Sequence, residues 1–352
     1  MFVPSLNGGG AQRVFVHLAN TLVNMTDQPV HLVVIRSGGV FLDELDSRVR
    51  LINLGTGRVS RSVVALVRYL RTYRPQVFVS TMNYCNIVAI LAWRLARRPC
   101  RLVVREANVV REGNRLMRML MRWFYPQADA VIALSPEVGS SILRAGIRVA
   151  DKLVEIGNPC VFSAGDEGVE LPAFLPRPLP RFLCAMGSLS HQKGFDLLLS
   201  AFASLSDTSL HLVILGEGSL REELEEQSRA LGIQERVHLP GFVKRPVDIL
   251  AQADLFVLSS RWEGFPNVLL EALSTGVPIV AADCDGAPGS MLEGGRHGHL
   301  VVPEDPVALA EGIEKALTMP AGTPESRRAR AEDFSAERIA RKYLEEAFLV
   351  EL

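Results

Sequence analysis

Two carboxylic acids, Glu263 and Glu271, stand with seven residues between them in the stretch Arg261-Trp262-Glu263-Gly264-Phe265-Pro266-Asn267-Val268-Leu269-Leu270-Glu271-Ala272-Leu273. The stretch leaves an apolar run that reads as a strand and enters a helix pattern. Pro266 suits the first helical turn, where its missing N–H costs nothing. The backbone N–H groups from Asn267 onward, Val268 included, would then make a ready site for an anion such as a diphosphate. Glu271 follows Asn267 by four residues, so both side chains share a helical face about one turn apart. One carboxylate could then address a sugar beyond the helix tip while the other accepts hydrogen bonds from ribose hydroxyls. A lone pair of glutamates is usually two solvated helix charges. Set in Glu-Gly-Phe-Pro-Asn at the carboxyl end of a strand, where α/β sheets bind ligands, the pair points to a site instead.

A second loop leaves a strand at Gly187-Ser188-Leu189-Ser190-His191-Gln192-Lys193-Gly194-Phe195. Lys193 there would neutralise a diphosphate in place of a metal ion, so a metal-independent reaction with no cofactor is expected. The plainer reading of Lys193 is a surface lysine before a helix. His191, His297 and His299 lack metal-ligand company and read as ordinary loop residues.

These loops need a scaffold, and the chain supplies an alternation of short apolar strands with helices of ten or more residues. In the first part come the run Met1 to Leu6, glycines 8 to 10, a helix at Ala11 to Val23 and a strand at Val30 to Ile35. A helix at Ser62 to Tyr73, a strand at Val77 to Ser80, a helix at Asn86 to Arg97 and strands at Leu102 to Arg105 and Ala130 to Ala133 follow. Prolines 172, 176, 178 and 180 then interrupt the rhythm, and Val161 to Pro180 reads as a linker. The alternation restarts with strands at Arg181 to Met186, His211 to Leu215, Val237 to Leu239, Leu255 to Leu258 and Ile279 to Ala281, and helices between them at Phe195 to Ser204, Leu220 to Leu231, Val247 to Ala253 and Pro266 to Ser274. The expected fold class is α/β: two doubly wound parallel sheets in series, each covered by helices on both faces. Residues 1–165 would form the first domain and 166–335 the second, with a final helix in 336–352 crossing back to the first. A length of 352 residues fits two domains of about 150 to 200 residues.

The composition, 48% hydrophobic and 22% charged, excludes a disordered chain. Five scattered cysteines, 85, 100, 160, 184 and 284, form no C-x-x-C pair, which argues against a disulfide framework or zinc site and for a reducing cytoplasm. The apolar run Ile87 to Trp93 is far short of the ~18 to 20 residues that cross a bilayer.

The chain resembles the retaining glycosyltransferases of family 4, which have the GT-B fold of two Rossmann-like domains facing a cleft. The resemblance covers nearly the whole chain. It rests on the Glu263 and Glu271 spacing with Gly-Phe-Pro-Asn-Val-Leu-Leu between them, and on matches at Asn7 to Arg13, Met186 to Phe195, Leu215 to Gly218 and Gly295 to Val301. It implies that the second domain holds a nucleotide diphosphate sugar, a UDP-hexose or UDP-N-acetylhexosamine, with Glu263 on the hexose and Glu271 on the ribose. Gly264, Phe265, Pro266, Asn267, Val268, Gly187, Ser188, Gly216, Gly241 and Phe242 would line the donor side. Gly9 and Gly10 would face the donor phosphates and acceptor, and Asn108 the acceptor. Glu106, beside it, has a plainer reading as a partner for the surrounding arginines. Two departures stand out: Ser188 replaces the arginine that usually shares the phosphate charge, and Gln12 stands where glutamate is commoner. No covalent nucleophile is evident, so the departing diphosphate oxygen would help deprotonate the acceptor. A two-domain sugar-nucleotide 2-epimerase and a non-catalytic ligand-binding protein are the competing readings.

Net charge is only -1, yet Arg58 to Arg122 holds fourteen arginines against Glu106 and Glu112. In Asn114 to Pro126, Arg115, Arg118 and Arg122 share a face beside Leu116, Met119, Leu120 and Trp123, and Arg61 to Arg74 repeats the pattern weakly. Arginines over an apolar stripe suit a helix in the headgroup region of an anionic leaflet. The expectation is a cytoplasmic protein on the inner membrane face, with a polyprenyl-linked or other glycan acceptor and no nucleic acid partner. The ordinary alternative is that the stripe packs on the core.

Overall fold

In the computed structural model, which describes all residues except 8, 37, 111–112, 161–177, 179, 244 and 351–352, the chain divides into two compact units. One comprises Met1–Pro159 with Phe334–Leu352 and the other Cys160–Asp333. The stretch read as a linker lies almost wholly outside the described residues.

The first unit runs β1 (Phe2–Val3), α1 (Gly10–Met25), β2 (His31–Val34), β3 (Arg50–Asn53), α2 (Val63–Tyr73), β4 (Val77–Thr81), α3 (Asn83–Leu95), β5 (Arg101–Glu106), α4 (Arg115–Phe124), β6 (Ala130–Ala133), α5 (Pro136–Arg144) and β7 (Leu153–Glu155). Its seven strands pair in the order β3-β2-β1-β4-β5-β6-β7, all parallel. The second unit contains β8 (Phe182–Met186), α6 (Phe195–Ala203), β9 (His211–Leu215), α7 (Arg221–Ala230), β10 (Val237–Gly241), α8 (Pro246–Leu250), β11 (Leu255–Leu258), α9 (Asn267–Thr275), β12 (Ile279–Ala282), α10 (Pro288–Met291), β13 (His299–Val301), α11 (Pro306–Thr318) and α12 (Pro324–Glu332). Its sheet is again parallel, in the order β10-β9-β8-β11-β12-β13. The last helix, α13 (Ala336–Lys342), continues as a wider helical turn over Tyr343–Phe348 and packs on α1.

Central strands such as β6, β8, β11 and β12 are buried at every residue, so their sequences are unbroken apolar runs, as expected for strands covered on both faces. The sheet-edge strands β3, β7 and β13 carry no fully buried residue and escaped the sequence reading for that reason. So did α12, whose sequence Pro-Glu-Ser-Arg-Arg-Ala-Arg-Ala-Glu buries only Arg327 and Ala331.

Candidate functional site

In the second sheet β8 and β11 are neighbours, but β8 is followed in the chain by β9 on one side and β11 by β12 on the other. The crossovers that follow them therefore run to opposite sides of the sheet, which makes their carboxyl ends the switch point where such sheets take ligands. The β8 loop carries Gly187 to Gly194, and the β11 loop carries Ser259 to Pro266.

Four hydrogen bonds zip the two loops together. Ser259 Oγ donates to the Lys193 carbonyl at 2.9 Å and the Arg261 N–H to the Gln192 carbonyl at 2.8 Å. Gln192 Nε2 donates to the Trp262 carbonyl at 3.0 Å and the Arg261 guanidinium to the His191 carbonyl at 2.8 Å. Gly194, with φ +61°, is required at the seam, since a Cβ there would strike the Ser259 carbonyl. The zip sets Lys193 Nζ at 2.6 Å from Glu263 Oε1, which also accepts from Ser260 Oγ at 2.6 Å. Side chains of the ion pair are 14% and 6% exposed, so solvent screens the pair little. Oε2 of Glu263 makes no hydrogen bond among the described residues. On the far side, the Glu263 N–H donates to the Asp285 carbonyl at 2.8 Å, and burial followed by the Glu263 charge pushes the Cys284 thiol up to about 12.

Past Gly264 and Phe265, both buried, Pro266 sits one position before α9, with φ -73° and ψ 96°, rather than in its first turn. No side chain caps the helix, whose amino end begins at Asn267 and Val268, both half-buried. The other end is held firmly: Gly276 takes φ +79°, buried Arg327 donates from Nε to its carbonyl at 3.0 Å, and Arg328 bonds the Thr275 carbonyl at 3.0 Å. Cations on the last carbonyls complement the helix dipole and fix the helix's aim. Glu271 is half-buried one turn inside.

Gly187, Gly216 and Gly241 line up at the carboxyl ends of β8, β9 and β10: the Gly187 N–H donates to the Leu215 carbonyl and the Gly216 N–H to the Gly241 carbonyl. Gly216, at φ +142°, lies so close to the Gly187 carbonyl that no Cβ fits. Ser188 is exposed and its hydroxyl bonds that of Ser190 at 3.1 Å, while Phe242 is 67% exposed. Glu217 is paired with Arg221, whose guanidinium holds its carboxyl below the usual range. His297 pairs with Glu293, and His299 bonds the Met319 carbonyl. The structure thus gathers Gly187, Lys193, Gly216, Gly241, Glu263 and α9 at one end of the second sheet. Ser260, Gln192 and Asp285 belong there too and carried no role in the sequence reading. The signal for Ser260 was a buried-strand run ending in a Ser-Ser pair at a ligand-binding edge.

Gly9, Gly10 and Asn108 belong to the first unit. Gly9 precedes α1 with φ +148° and Gly10 opens the helix; Gly8 is outside the described residues. Asn108 is exposed in the bend after β5. Glu106 is held chiefly by hydrogen bonds, and the neighbouring Arg105 charge of its plainer reading is a smaller influence. Its Oε2 accepts from Tyr125 Oη at 2.7 Å and its carboxylate from the backbone of Ala107 and Asn108, while Asn86 bonds Tyr125 and Ser80. Burial raises its pKa above the usual carboxylate range, against these hydrogen bonds. The folded chain therefore binds the proton better than the unfolded one, and stability falls as pH rises from the ordinary Glu range through the raised value. Glu106→Gln removes that loss: we expect a Tm above the wild type's at pH 8, with the gap closing near pH 4 in paired melting curves.

Residues 9–159 match the Glycosyl transferase 4-like domain, and residues 173–334 match the Glycosyl transferases group 1 family. The chain belongs to the GT-B glycosyltransferases of the family 4 type. A Campylobacter jejuni α-1,4-N-acetylgalactosaminyltransferase, whose name gives an undecaprenyl diphosphate-linked glycan as acceptor, is 29% identical over 90% of this glycosyltransferase and 87% of its own length. The lipopolysaccharide core glycosyltransferase LpsE of Rhizobium meliloti is 26% identical over 88% and 86%. HepE of Anabaena, solved with UDP, shares the fold at a TM-score of 0.80 and 21% identity, covering 98% of this chain and 97% of its own.

Proposed function

We propose that this glycosyltransferase moves a hexose or N-acetylhexosamine from a UDP-sugar, with retention of anomeric configuration, to a lipid-linked or saccharide acceptor in bacterial surface glycan assembly. The reading is carried by the Lys193–Glu263 pair at the crevice that α9 points into. The donor diphosphate takes the amino end of α9 and draws Lys193 away from Glu263. The carboxylate thus released accepts hydroxyls of the transferred sugar, Glu271 accepts the ribose hydroxyls, and no metal is needed. Lys193 and the helix amides stabilise charge on the departing diphosphate, whose oxygen takes the acceptor proton. Gly9, Gly10 and Asn108 serve the acceptor side. UDP in the HepE complex supports the donor class, and the undecaprenyl-linked acceptor of the Campylobacter relative supports the acceptor class. A panel of UDP-, GDP- and ADP-sugars incubated with membrane extract tests it by nucleotide release. Acceptor-dependent release from a UDP-sugar is expected. Donor turnover without acceptor would identify an epimerase, and tight binding without release a binding protein.

We also propose that the first unit docks on the inner face of the cytoplasmic membrane. Helices α2, α3 and α4 lie side by side. On α4, Met121 is buried while Leu116, Met119 and Trp123 are 63%, 48% and 73% exposed, so this stripe is not core. Exposed Val64, Leu91 and Leu95 extend it, with exposed Arg61, Arg68, Arg94, Arg97 and Arg115 among them. Some of the fourteen arginines have other employment: Arg71, Arg101 and Arg122 bond the carbonyls of Leu95, Ala347 and Ala145, and Arg105 is buried. Among the described residues no helix is long and apolar enough to cross a membrane, so contact would be peripheral. Flotation with phosphatidylglycerol vesicles should carry the protein at low salt and release it at high salt. Combined Leu116→Ala, Met119→Ala and Trp123→Ala should weaken it at both. No flotation even at low ionic strength would refute the docking.

A further inference from the structure

The zip between the two donor-side loops is anchored by one side chain. Arg261 is 9% exposed, and its guanidinium grips Asp196 in the first turn of α6 through two bonds of 2.8 and 2.6 Å, besides the 2.8 Å bond to the His191 carbonyl. Glu304 approaches the same guanidinium only at 3.6 Å and is 65% exposed. The two bonded groups bracket Lys193: His191 precedes it by two residues, Asp196 follows it by three, and Gln192 and Lys193 themselves bond the Arg261 loop through their backbone. Such a planar, bidentate fork has no substitute in lysine.

We infer that the Arg261–Asp196 pair is a positioning device for the reaction: it fixes the depth at which Lys193 meets Glu263 and the donor diphosphate, without touching the substrate itself. The inference rests on the function proposed above. If the fork sets the geometry, loosening it lets the β8 loop lift from the β11 loop, and Lys193 loses its shelter while the folds of both loops' parent strands persist. Displacement of a catalytic group by about 1 Å costs on the order of 10²-fold in rate.

The test uses Arg261→Lys and Asp196→Asn, with Glu304→Gln as the peripheral control. Acylation of Lys193 by N-hydroxysuccinimidyl acetate is followed by peptide mass mapping, with Lys152 in the first unit as internal reference, alongside kcat, KM for the donor and Tm. Both variants should raise the Lys193 acylation rate several-fold relative to Lys152, lower kcat by about 10- to 100-fold, raise donor KM less than Lys193→Ala does, and leave Tm near wild type. The double variant should be no worse than either single one, since both remove one interaction. Glu304→Gln should match wild type. Wild-type acylation rates in both variants, or activity losses that merely track Tm, would overturn the inference. A wild-type enzyme that releases no nucleotide would instead refute the proposed function, and the acylation rates would still decide the role of the fork.

Discussion

Glu263→Ala is expected to keep UDP binding and to lose sugar transfer by about 10²- to 10³-fold, the scale of removing one group that acts on the transition state. The expectation follows from how the carboxylate is held. Oε1 is occupied by Lys193 and Ser260, each at 2.6 Å, and Oε2 makes no hydrogen bond among the described residues. Loss of the carboxylate removes the group that meets the sugar but frees Lys193 for the diphosphate, so the Kd for UDP should hold steady or fall. Nucleotide release at saturating donor gives kcat, and calorimetric titration gives Kd. An equal loss of both would show that Glu263 serves the nucleotide or the fold rather than the sugar.

Lys193→Ala should have the broader effect, lowering both UDP affinity and kcat. It also strands Glu263, whose side chain is 6% exposed, as a buried charge without its cation. Breaking a buried pair in this way costs roughly 3 kcal/mol of stability. Adding Glu263→Gln to this variant should restore stability without restoring transfer. Melting curves, UDP titrations and kcat of the three proteins check the pattern; a Lys193→Ala protein as stable as wild type would mean that the pair does not couple.

The parts of the site that lie within one segment were legible in the sequence. Glu263, Pro266 and Glu271 announce a strand, a loop and a helix tip through spacing alone. The β8 loop with Lys193 was equally plain, because it too leaves an unbroken apolar strand. What joins the loops was not legible. Arg261 meets Asp196 across a separation of 65 residues only because the sheet order places β8 beside β11, and nothing local to either residue encodes that neighbourhood. Ser260 was passed over for the same reason, since its partner's exact placement depends on the loop's path. The edge strands β3, β7 and β13 lack the buried runs that marked the central strands. The arginine excess could be counted but not apportioned: a guanidinium that caps a carbonyl and one that faces water look alike in a sequence.

The measurement that bears most directly on the account is the structure of the protein with a UDP-hexose bound. The account places the diphosphate against the first backbone amides of α9 within hydrogen-bond reach of Lys193 Nζ, the hexose on Glu263 and the ribose on Glu271. A ligand lodged elsewhere, with that crevice left vacant and the Lys193–Glu263 contact undisturbed, would contradict it.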